Sequence, residues 1–515
     1  MPAKWTVIPV PAIGPVSPFR PDLMILLTDG SLLLHNGFVS SVGEASHWAR
    51  LTPDAHGRYE TGTWSGPFDM GIARQWFASG VTRSGHVFVI GGEHSNDPIS
   101  PNDTPTGEIF DPTTNTWSPL VKPAAFDFIR GDCNGTVLPD GKVLLGAPDP
   151  NPDPPNLWPN RTAVWDPETN AWMEAGKKFG TLAVTTKTDS FEEETFALLP
   201  NGEVLVPAVR DMPGAQLYKP ERDEYVAVAP CPVNLAIQTL SGAEVFETAP
   251  TIVLPDGHAF SIGGTGQTAL FSTNHHPTGT WKVGPTFPAD ISGLGNWPTL
   301  TALDAPAALM PNGRVILLAG STAPDFGDFF SLNPQFLEFD PHSHASALPF
   351  LNPQPPSPPF PSGNFTWQCV FQVLPSGELL CSTQTNNLFL YTPDPAAGAP
   401  HHDWRPANLH VHQHMHPGES YRIEGTQLNG LSQAAVYGDD AGMSTNYPIV
   451  RLHNTVTGQI VYLRSHTFST LGITVGHNHR QHCTIDIPAT IPHGHYRLHV
   501  IANGIASEHV EVEIH

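Results

Sequence analysis

The chain is poor in positive charge. Its 515 residues include 24 lysines and arginines against 48 aspartates and glutamates, which gives a formal net charge of −24 at pH 7. No basic run occurs along the sequence. Because binding to nucleic acid or to anionic lipid depends on clustered lysine and arginine, the sequence predicts neither nucleic acid nor a membrane as a partner. We expect the partner to be a small molecule.

Cysteines and long apolar runs are also scarce. Five cysteines in so long a chain do not make a disulfide scaffold. No apolar stretch is long enough for the hydrophobic part of a signal peptide or for a membrane span. A cytoplasmic location is therefore expected. Helix signals are nearly absent throughout the chain.

Glycine and proline are abundant, with 46 and 55 residues. Seven of the glycines fall in the turn of a repeated phrase. An apolar run, a turn such as Pro-Asp-Gly and a second apolar run recur at intervals of roughly 55–64 residues. The turn glycines are Gly30, Gly85, Gly141, Gly202, Gly257, Gly313 and Gly377. Asp-Gly, Asn-Gly and Ser-Gly pairs favour a two-residue hairpin turn with positive φ. Each copy therefore predicts the two inner strands of one propeller blade.

A second phrase follows several of these hairpins. It reads IFDPTTNTW up to Trp117, VWDPETNAW up to Trp172 and LYKPERDEY up to Tyr225. This pattern is typical of the third and fourth strands of a kelch blade, with an aromatic side chain packed between neighbouring blades. We predict a seven-bladed kelch-type β-propeller over residues 1–404.

The repeat stops near Pro406, and short alternating strands such as SYRIEG, QIVYLRSHT and HYRLHVIANG take its place. These strands predict an immunoglobulin-like β-sandwich over residues 405–515. The fold class is therefore all-β.

A seven-bladed kelch propeller followed by a small sandwich resembles the galactose oxidase and glyoxal oxidase family of copper radical oxidases. The segment CNGTVLPDG, which begins at Cys133, is similar to the family's cysteine strand. Ser465-His466-Thr467 is similar to the segment that carries the family's copper histidine on the sandwich. The resemblance implies that a sandwich loop brings His466 to the propeller axis.

The tyrosines of that family are not matched here. The place of the cross-linked tyrosine falls on Glu193, and the place of the Tyr-His pair falls on Trp367-Gln368. The four tyrosines of the propeller region do not lie at the start of an inner strand. Since a fold does not fix a function, we expect a divergent member that lacks the radical-copper tyrosines.

Carboxylates stand at the starts of the inner strands instead. Acids that converge on one propeller mouth repel each other, and the raised pKa that follows suits a general acid or base at neutral pH. Glu193 is the leading candidate. The predicted catalytic residues are Asp132, Cys133, Glu193, Glu247 and Asp304. The predicted substrate-binding residues are Trp76, Trp367, Gln368, Arg74 and Arg130. The predicted metal ligands are His466 and Glu193.

Three roles for these acids stay open. They could bind a divalent metal (Ca²⁺, Mn²⁺ or copper), act as an acid/base pair on a neutral polar substrate, or attract a cation to the tryptophan faces. The favoured function is a non-radical enzyme that acts on a small polar molecule. The alternatives are a copper-dependent oxidase of alcohols or aldehydes with unusual ligands, and a non-catalytic carbohydrate-binding or interaction propeller. Structural pairing of the acids with arginine is the competing interpretation.

Histidines cluster twice in the sandwich region. His410, His412, His414 and His416 alternate along one strand, and His477, His479 and His482 precede Cys483. Two imidazoles two residues apart on a strand could hold a metal, but neither run contains a completing third ligand. The favoured interpretation is an exposed polar strand face and a hydrated loop.

Overall fold

The computed structural model describes most of the chain. The described residues are 3–37, 45–146, 161–176, 187–189, 194–240, 243–273, 278–292, 297–322, 331–341, 363–433, 444–473 and 479–515, without the side chains of 238–240 and 243–245. Among them, no helix is long and apolar enough to cross a membrane. The described helical elements are short 3-10 turns at Ala124–Phe126, Thr366–Gln368, Pro395–Ala397 and His402–Trp404.

Seven antiparallel sheets follow one another along the first part of the described chain, and we number them blades 1 to 7. Strand β1 is Lys4–Pro9. Blade 1 contains β2 (Pro21–Leu26), β3 (Leu32–Asn36), β4 (His47–Thr52) and β5 (Thr63–Asp69). Blade 2 contains β6 (Ala78–Val81), β7 (Val87–Ile90), β8 (Gly107–Asp111) and β9 (Thr116–Pro119). Blade 3 contains β10 (Gly135–Val137), β11 (Val143–Gly146), β12 (Thr162–Asp166) and β13 (Ala171–Glu174).

The remaining blades keep this order of strands. Blade 4 contains β14 (Ala197–Leu198), β15 (Val204–Pro207), β16 (Ala215–Lys219) and β17 (Glu224–Ala227), and the hairpin β18 (Ile237–Leu240) and β19 (Ala243–Glu247) follows it. Blade 5 contains β20 (Thr251–Val253), β21 (Ala259–Ile262), β22 (Thr268–Ser272) and β23 (Thr280–Val283). Blade 6 contains β24 (Ala307–Leu309), β25 (Val315–Thr322) and β26 (Ser331–Phe339). Blade 7 contains β27 (Val370–Val373), β28 (Leu379–Ser382) and β29 (Asn387–Thr392).

The blades form a ring that the amino-terminal strand closes. The inner strands β2 and β27, from the first and last blades, contact each other, as do successive inner strands from β6 through to β27. Strand β1 pairs antiparallel with β29 from Lys4 opposite Thr392 to Pro9 opposite Asn387. Residues from the two ends of the propeller sequence therefore share one sheet, and main-chain hydrogen bonds hold the ring shut.

The seven predicted turns are present, with a geometry that differs in detail from the prediction. All seven turn glycines have positive φ, between 76° and 87°. Each glycine N–H donates to the carbonyl three residues earlier, as Gly30 does to Leu27 at 2.9 Å. The residue before each glycine is not left-handed, so the two-residue hairpin with two positive φ values is wrong. The turns are type I turns followed by a left-handed glycine that forms a bulge.

Aromatic residues of the second phrase pack between blades, as predicted. The ring of Trp165 in blade 3 lies 5.5 Å from the ring of Phe88 in blade 2. The ring of Trp117 in blade 2 lies 5.1 Å from the ring of Trp48 in blade 1. The third and fourth strands of blades 2, 3 and 4 fall where the phrase places them.

The carboxyl-terminal region forms two further sheets, which confirms the all-β prediction. The first has the strand order β30 (Ala407–His410), β32 (Ser420–Thr426), β36 (Arg480–Asp486) and β35 (Ser465–His466). The second has the order β31 (His414–Met415), β39 (Val510–Ile514), β37 (Gly494–Ala502), β33 (Ile449–Asn454) and β34 (Ile460–Leu463), and β38 (Ile505–Ala506) pairs with β37. The bounds 1–404 and 405–515 for the two domains stay a prediction.

This sandwich contacts the side of the propeller that carries the seven hairpin turns, which we call the turn face. The main-chain N–H of Ser465 donates to the carbonyl of Thr28 in the blade 1 turn at 3.3 Å. The N–H of Leu471 donates to Pro139 in the blade 3 turn at 3.0 Å. The sandwich therefore covers the turn face at blades 1 to 3.

Because β1 closes the ring, we expect substitutions at two neighbouring residues of β1, Ile8 and Val7, to change the free energy of unfolding by different amounts. Ile8 is 3% exposed in the apolar core, whereas Val7 is 45% exposed. We expect Ile8→Ala to lower the free energy of unfolding by about 2–4 kcal/mol, because it opens a cavity at the closing strand. Val7→Ala is the matched control, and thermal melting compares the two. Equal melting temperatures for both variants would show that β1 does not hold the ring.

Candidate functional site

The starts of the inner strands meet at the side of the propeller opposite the turn face, and we call it the strand-start face. The N–H of Asp304 donates to the carbonyl of Thr248 at 2.9 Å. The hydroxyl of Thr366, next to Trp367, donates to the carbonyl of Leu303. The N–H of Gly92 donates to Gly131, next to Asp132, at 2.6 Å. These contacts link blades 5, 6 and 7, and blades 2 and 3, along one face.

Two tryptophans form the aromatic part of this face. The half-buried rings of Trp76 and Trp367 meet edge to face with centroids 6.0 Å apart. The ring of His94 lies 5.0 Å from that of Trp76. The backbone of Trp76 is left-handed, with φ of 48°, which a bulky residue seldom adopts. Such strain costs on the order of 1–3 kcal/mol and concentrates at functional sites. The structure thus brings together the two predicted tryptophans, from blades 2 and 7.

An acid pair that the sequence analysis missed lies next to Trp76. Glu93 exchanges two main-chain hydrogen bonds with Gln75, of 2.9 and 2.7 Å. Burial, followed by the nearby negative charge of Asp103, raises the pKa of the Glu93 carboxyl to about 7. Asp103 lies against Gly131, where an added Cβ would stand 3.5 Å from the Asp103 Cβ. The raised pKa that was predicted for acids at the starts of the inner strands is therefore found at Glu93, which follows the second strand of blade 2.

Asp22 and His35, which the sequence patterns did not single out, line the hollow between the tryptophans. Asp22 and His35 are buried and line, with Trp76 and Trp367, a hollow that has room for about one water molecule. His35 Nδ1 lies 2.8 Å from Asp22 Oδ1, and Nε2 lies 2.8 Å from the carbonyl oxygen of Ala45. A carbonyl only accepts, so Nε2 donates, and a second proton lies between Nδ1 and Oδ1. Both nitrogens of His35 are therefore occupied by hydrogen bonds.

The other predicted residues of this face are half-buried. Asp304 has a left-handed backbone with φ of 50°. The side-chain oxygen of Gln368 accepts from the N–H of Phe365 at 3.0 Å, which stabilises the short helical turn that carries Trp367. Arg130 donates from Nε to the carbonyl of Asp127 at 2.7 Å. Asp132 and Glu247 are half-buried at the starts of blades 3 and 5. Roles in catalysis or binding stay predictions for these five residues.

Arg74 has a structural role, which corrects its prediction as a substrate-binding residue. Its side chain is fully buried. Its guanidinium donates five hydrogen bonds, to the carbonyls of Ile72, Gly91 and Thr106, to the Thr106 hydroxyl and to Glu108. A guanidinium has five N–H donors, so none is left for a ligand.

Cys133 lies in an environment that disfavours a reactive thiolate, which argues against its prediction as a catalytic residue. The side chain is fully buried, and its sulfur lies 3.1 Å from the carbonyl oxygen of Ile90. Burial raises the pKa of the Cys133 thiol to about 11. A nucleophilic cysteine needs a thiolate at neutral pH, and this environment disfavours one.

Glu193, the leading candidate, lies outside the described residues. The next residue, Glu194, is fully buried and forms an ion pair with Lys187. Burial raises the pKa of Glu194 to about 8, although the charge of Lys187 opposes the shift. The prediction for Glu193 stays untested.

His466 lies at the turn face, so the prediction that it approaches the propeller axis with the strand-start acids is wrong. Strand β35 pairs with β36, and the neighbouring Ser465 is bonded to the blade 1 turn. His466 Nε2 lies 3.1 Å from Asp486 Oδ1. Burial raises the pKa of Asp486, but hydrogen bonds from Ser420, His466 and Arg464 outweigh it and lower the pKa. His466 therefore belongs to a polar cluster of the sandwich.

The described strand-start face does not fit a radical-copper centre. Eight of the nine tyrosines are described, and the hydroxyls of the propeller's Tyr59, Tyr218 and Tyr225 bond to Gly30, Asp223 and Thr162. The Cys133 sulfur is buried and its pKa is raised, and both nitrogens of His35 are hydrogen-bonded to oxygen atoms of the protein. Copper favours imidazole and thiolate, whereas this face mainly offers carboxylate oxygens. Among the described residues, the one group of three ligand atoms within 4.8 Å lies on the sandwich, at His414, Glu513 and His515.

Comparisons with known proteins agree with the fold. The kelch motif matches residues 77–123, which hold blade 2. A sequence comparison with curated proteins finds no match. The structure is similar to a fungal alcohol oxidase of the AA5 family in complex with copper, with 13% identity, a TM-score of 0.50 and 99% of each chain covered. It is also similar to the extracellular domain of a putative hybrid two-component system from B. thetaiotaomicron, with 10% identity, a TM-score of 0.42 and coverage of 100% of this chain and 60% of that chain. At 13% identity, the likeness to the alcohol oxidase shows the fold alone.

The burial of all five cysteines predicts the thiol reactivity of the native protein. All five are free and buried, and burial raises the pKa of Cys133 and Cys231 to about 11 and that of Cys483 to about 12. At pH 7.5 we expect Ellman's reagent to label no thiol rapidly in native protein and five thiols in denatured protein. A rapid native thiol that disappears in Cys133→Ser would restore Cys133 as a nucleophile.

The Glu93 environment predicts a pH-dependent stability. The folded protein keeps the Glu93 proton up to about pH 7, whereas the unfolded chain releases it near the ordinary value of 4.5. The wild type therefore loses stability between these pH values, and Glu93→Gln does not. We expect Glu93→Gln to melt at a higher temperature than the wild type at pH 8, with a smaller difference at pH 5. The exposed Glu60→Gln is the control, and parallel melting curves at both pH values would contradict the assignment.

Proposed function

We propose that the protein is a non-radical enzyme that acts on a small polar molecule at the strand-start face, with Glu93 as general acid or base. The observation that carries the proposal is the raised pKa of Glu93, about 7, beside Asp103 and the tryptophan pair. A group with a pKa near the working pH exchanges protons efficiently, and such catalysis contributes about 10²–10⁴-fold to a rate. The predicted Glu193 keeps a place in this proposal as a second acid of the face.

The surroundings of Glu93 favour a neutral or cationic substrate. Asp22, Glu93, Asp103 and Asp132 lie on the same side of the propeller, and the whole chain is strongly acidic. The faces of Trp76 and Trp367 suit the apolar face of a sugar ring or a cationic group. An anionic substrate is disfavoured here, because Arg74 is committed to the protein and the four acids outnumber Arg130, the other predicted binding arginine of this face.

A metal-assisted form of the reaction would use oxygen ligands. With His466 at the turn face, the described acids of the strand-start face offer carboxylates, which favour Ca²⁺ or Mn²⁺ over copper. The proposal includes the predicted cytoplasmic location.

Two other functions compete with the proposal. The protein could be a copper-dependent oxidase of alcohols or aldehydes, or a non-catalytic carbohydrate-binding or interaction propeller.

The test begins with binding. Sugars, polyols and tetramethylammonium are added to the full chain, and tryptophan fluorescence and melting temperature are recorded. We expect a neutral sugar or polyol to bind, and Trp76→Ala to weaken its binding. Conversion of the bound compound is then followed by NMR with wild type, Glu93→Gln and the control Glu60→Gln.

Catalysis by Glu93 has a distinct signature. Glu93→Gln should keep the binding, lower turnover by about 10²–10⁴-fold and remove a limb of the pH–rate profile centred near pH 7. Binding without turnover in the wild type would support the interaction propeller instead. Stoichiometric copper with hydrogen peroxide release from alcohols or aldehydes would establish the oxidase and overturn the proposal.

A further inference from the structure

A cluster of histidines and a glutamate lies on one face of the second sandwich sheet. In the parallel pair of β31 and β39, His414 stands opposite Glu513. In the antiparallel pair of β37 and β39, His495 stands opposite the same Glu513. Residues directly opposite each other on paired strands point to one face, and so do residues two apart on a strand. His414, His495, Glu513 and His515 therefore project from the same face.

The ligand atoms of three of these residues are close together. His414 Nδ1 lies 2.8 Å from His515 Nε2 and 3.7 Å from Glu513 Oε2, and His515 Nε2 lies 3.4 Å from the same Oε2. A point in their plane that is equidistant from the three atoms is about 1.9 Å from each of them, slightly less than a zinc–nitrogen or zinc–oxygen bond of about 2.0–2.2 Å. An ion just above that plane is within bonding distance of all three atoms, and its binding would replace the proton that the His414 and His515 nitrogens share in their hydrogen bond.

The fourth side of the cluster is open to solvent. The side chains of His414 and His515 are 64% and 43% exposed, and that of Glu513 is 34% exposed. The second carboxylate oxygen of Glu513 lies 3.7 Å from His495 Nε2, so a further imidazole stands beside the site. Two imidazoles and one carboxylate, with room for water, make a ligand set that suits zinc or copper better than calcium or magnesium.

We propose that His414, Glu513 and His515 bind one divalent transition-metal ion, with zinc as the reference metal. The site is separate from the strand-start face and does not depend on the proposed function. Strand β31 has two residues and is held by its pairing with β39. A metal ion shared by His414, Glu513 and His515 would fix the edge strand β31 to the sheet. Metal binding would therefore stabilise the sandwich.

The proposal is tested with the full chain, treated with chelator and then titrated with zinc chloride alone in a calorimeter. We expect one zinc ion per chain at the tightest site and a rise in melting temperature with zinc. His414→Ala, His515→Ala and Glu513→Gln should each weaken that site by at least about tenfold, since losing a metal ligand costs no less than losing an outer-shell partner. By the general order of divalent affinities, copper(II) should bind more tightly than zinc.

Two controls keep the test decisive. His402→Ala removes a histidine of the sandwich region that is 82% exposed and lies near Asp403, and it should leave zinc binding unchanged. The three ligand variants should melt like the wild type without metal, because their side chains contribute little to the core. The absence of one-to-one zinc binding, or binding that all three ligand variants retain, would overturn the proposal.

Discussion

Closure of the ring by main-chain hydrogen bonds between β1 and β29 is the constraint on which the rest of the propeller depends. Inner strands contact one another from β6 round to β27 and on to β2, and blades 1 and 2 contact each other through β5 and β9, so the position of each strand start follows from the closed ring. Once the ring is closed, Trp76 from blade 2 meets Trp367 from blade 7, although almost 300 residues separate them in the sequence. A break in the closing sheet would separate the blades that supply the candidate site.

The chemistry of the strand-start face follows from burial. A carboxyl group that loses water favours its neutral form, and a neighbouring carboxylate strengthens that preference. Glu93 has both influences and no described arginine that offsets them, whereas the buried Glu108 is compensated by Arg74. The same residue type therefore forms a compensated ion pair in one place and carries a raised pKa in the other. Asp22 and His35 add a buried, hydrogen-bonded pair beside the tryptophans.

The sequence predicted the repeating parts of the structure well, because their signals are local. A glycine in a tight turn and an aromatic residue in an outer strand are specified by their immediate neighbours. The site was harder to predict. Glu93 lies after the second strand of its blade, and the Gly92–Gly131 contact brings it to the face. Asp22 was within reach, since it lies eight residues before Gly30, as Cys133 does before Gly141.

The wrong assignments have a shared cause, since each depended on contacts with distant parts of the chain. The five acceptors around Arg74 and the turn-face position of His466 depend on packing that spacing in the sequence does not specify. Both partners of His414 were missed for the same reason. Glu513 and His515 follow His414 by about a hundred residues and reach it through a parallel strand pair, which requires a long connection.

The position of β1 also limits when the protein can acquire its shape during synthesis. Lys4 leaves the ribosome before its partner Thr392, which follows nearly four hundred residues later. At about 5–20 residues per second, translation takes roughly 20–80 s to supply that partner. Throughout this interval β1 lacks the strand with which it pairs in the folded protein, and an unpaired strand is a template for pairing with other chains. A chaperone that covers β1 during synthesis would lower this risk of aggregation.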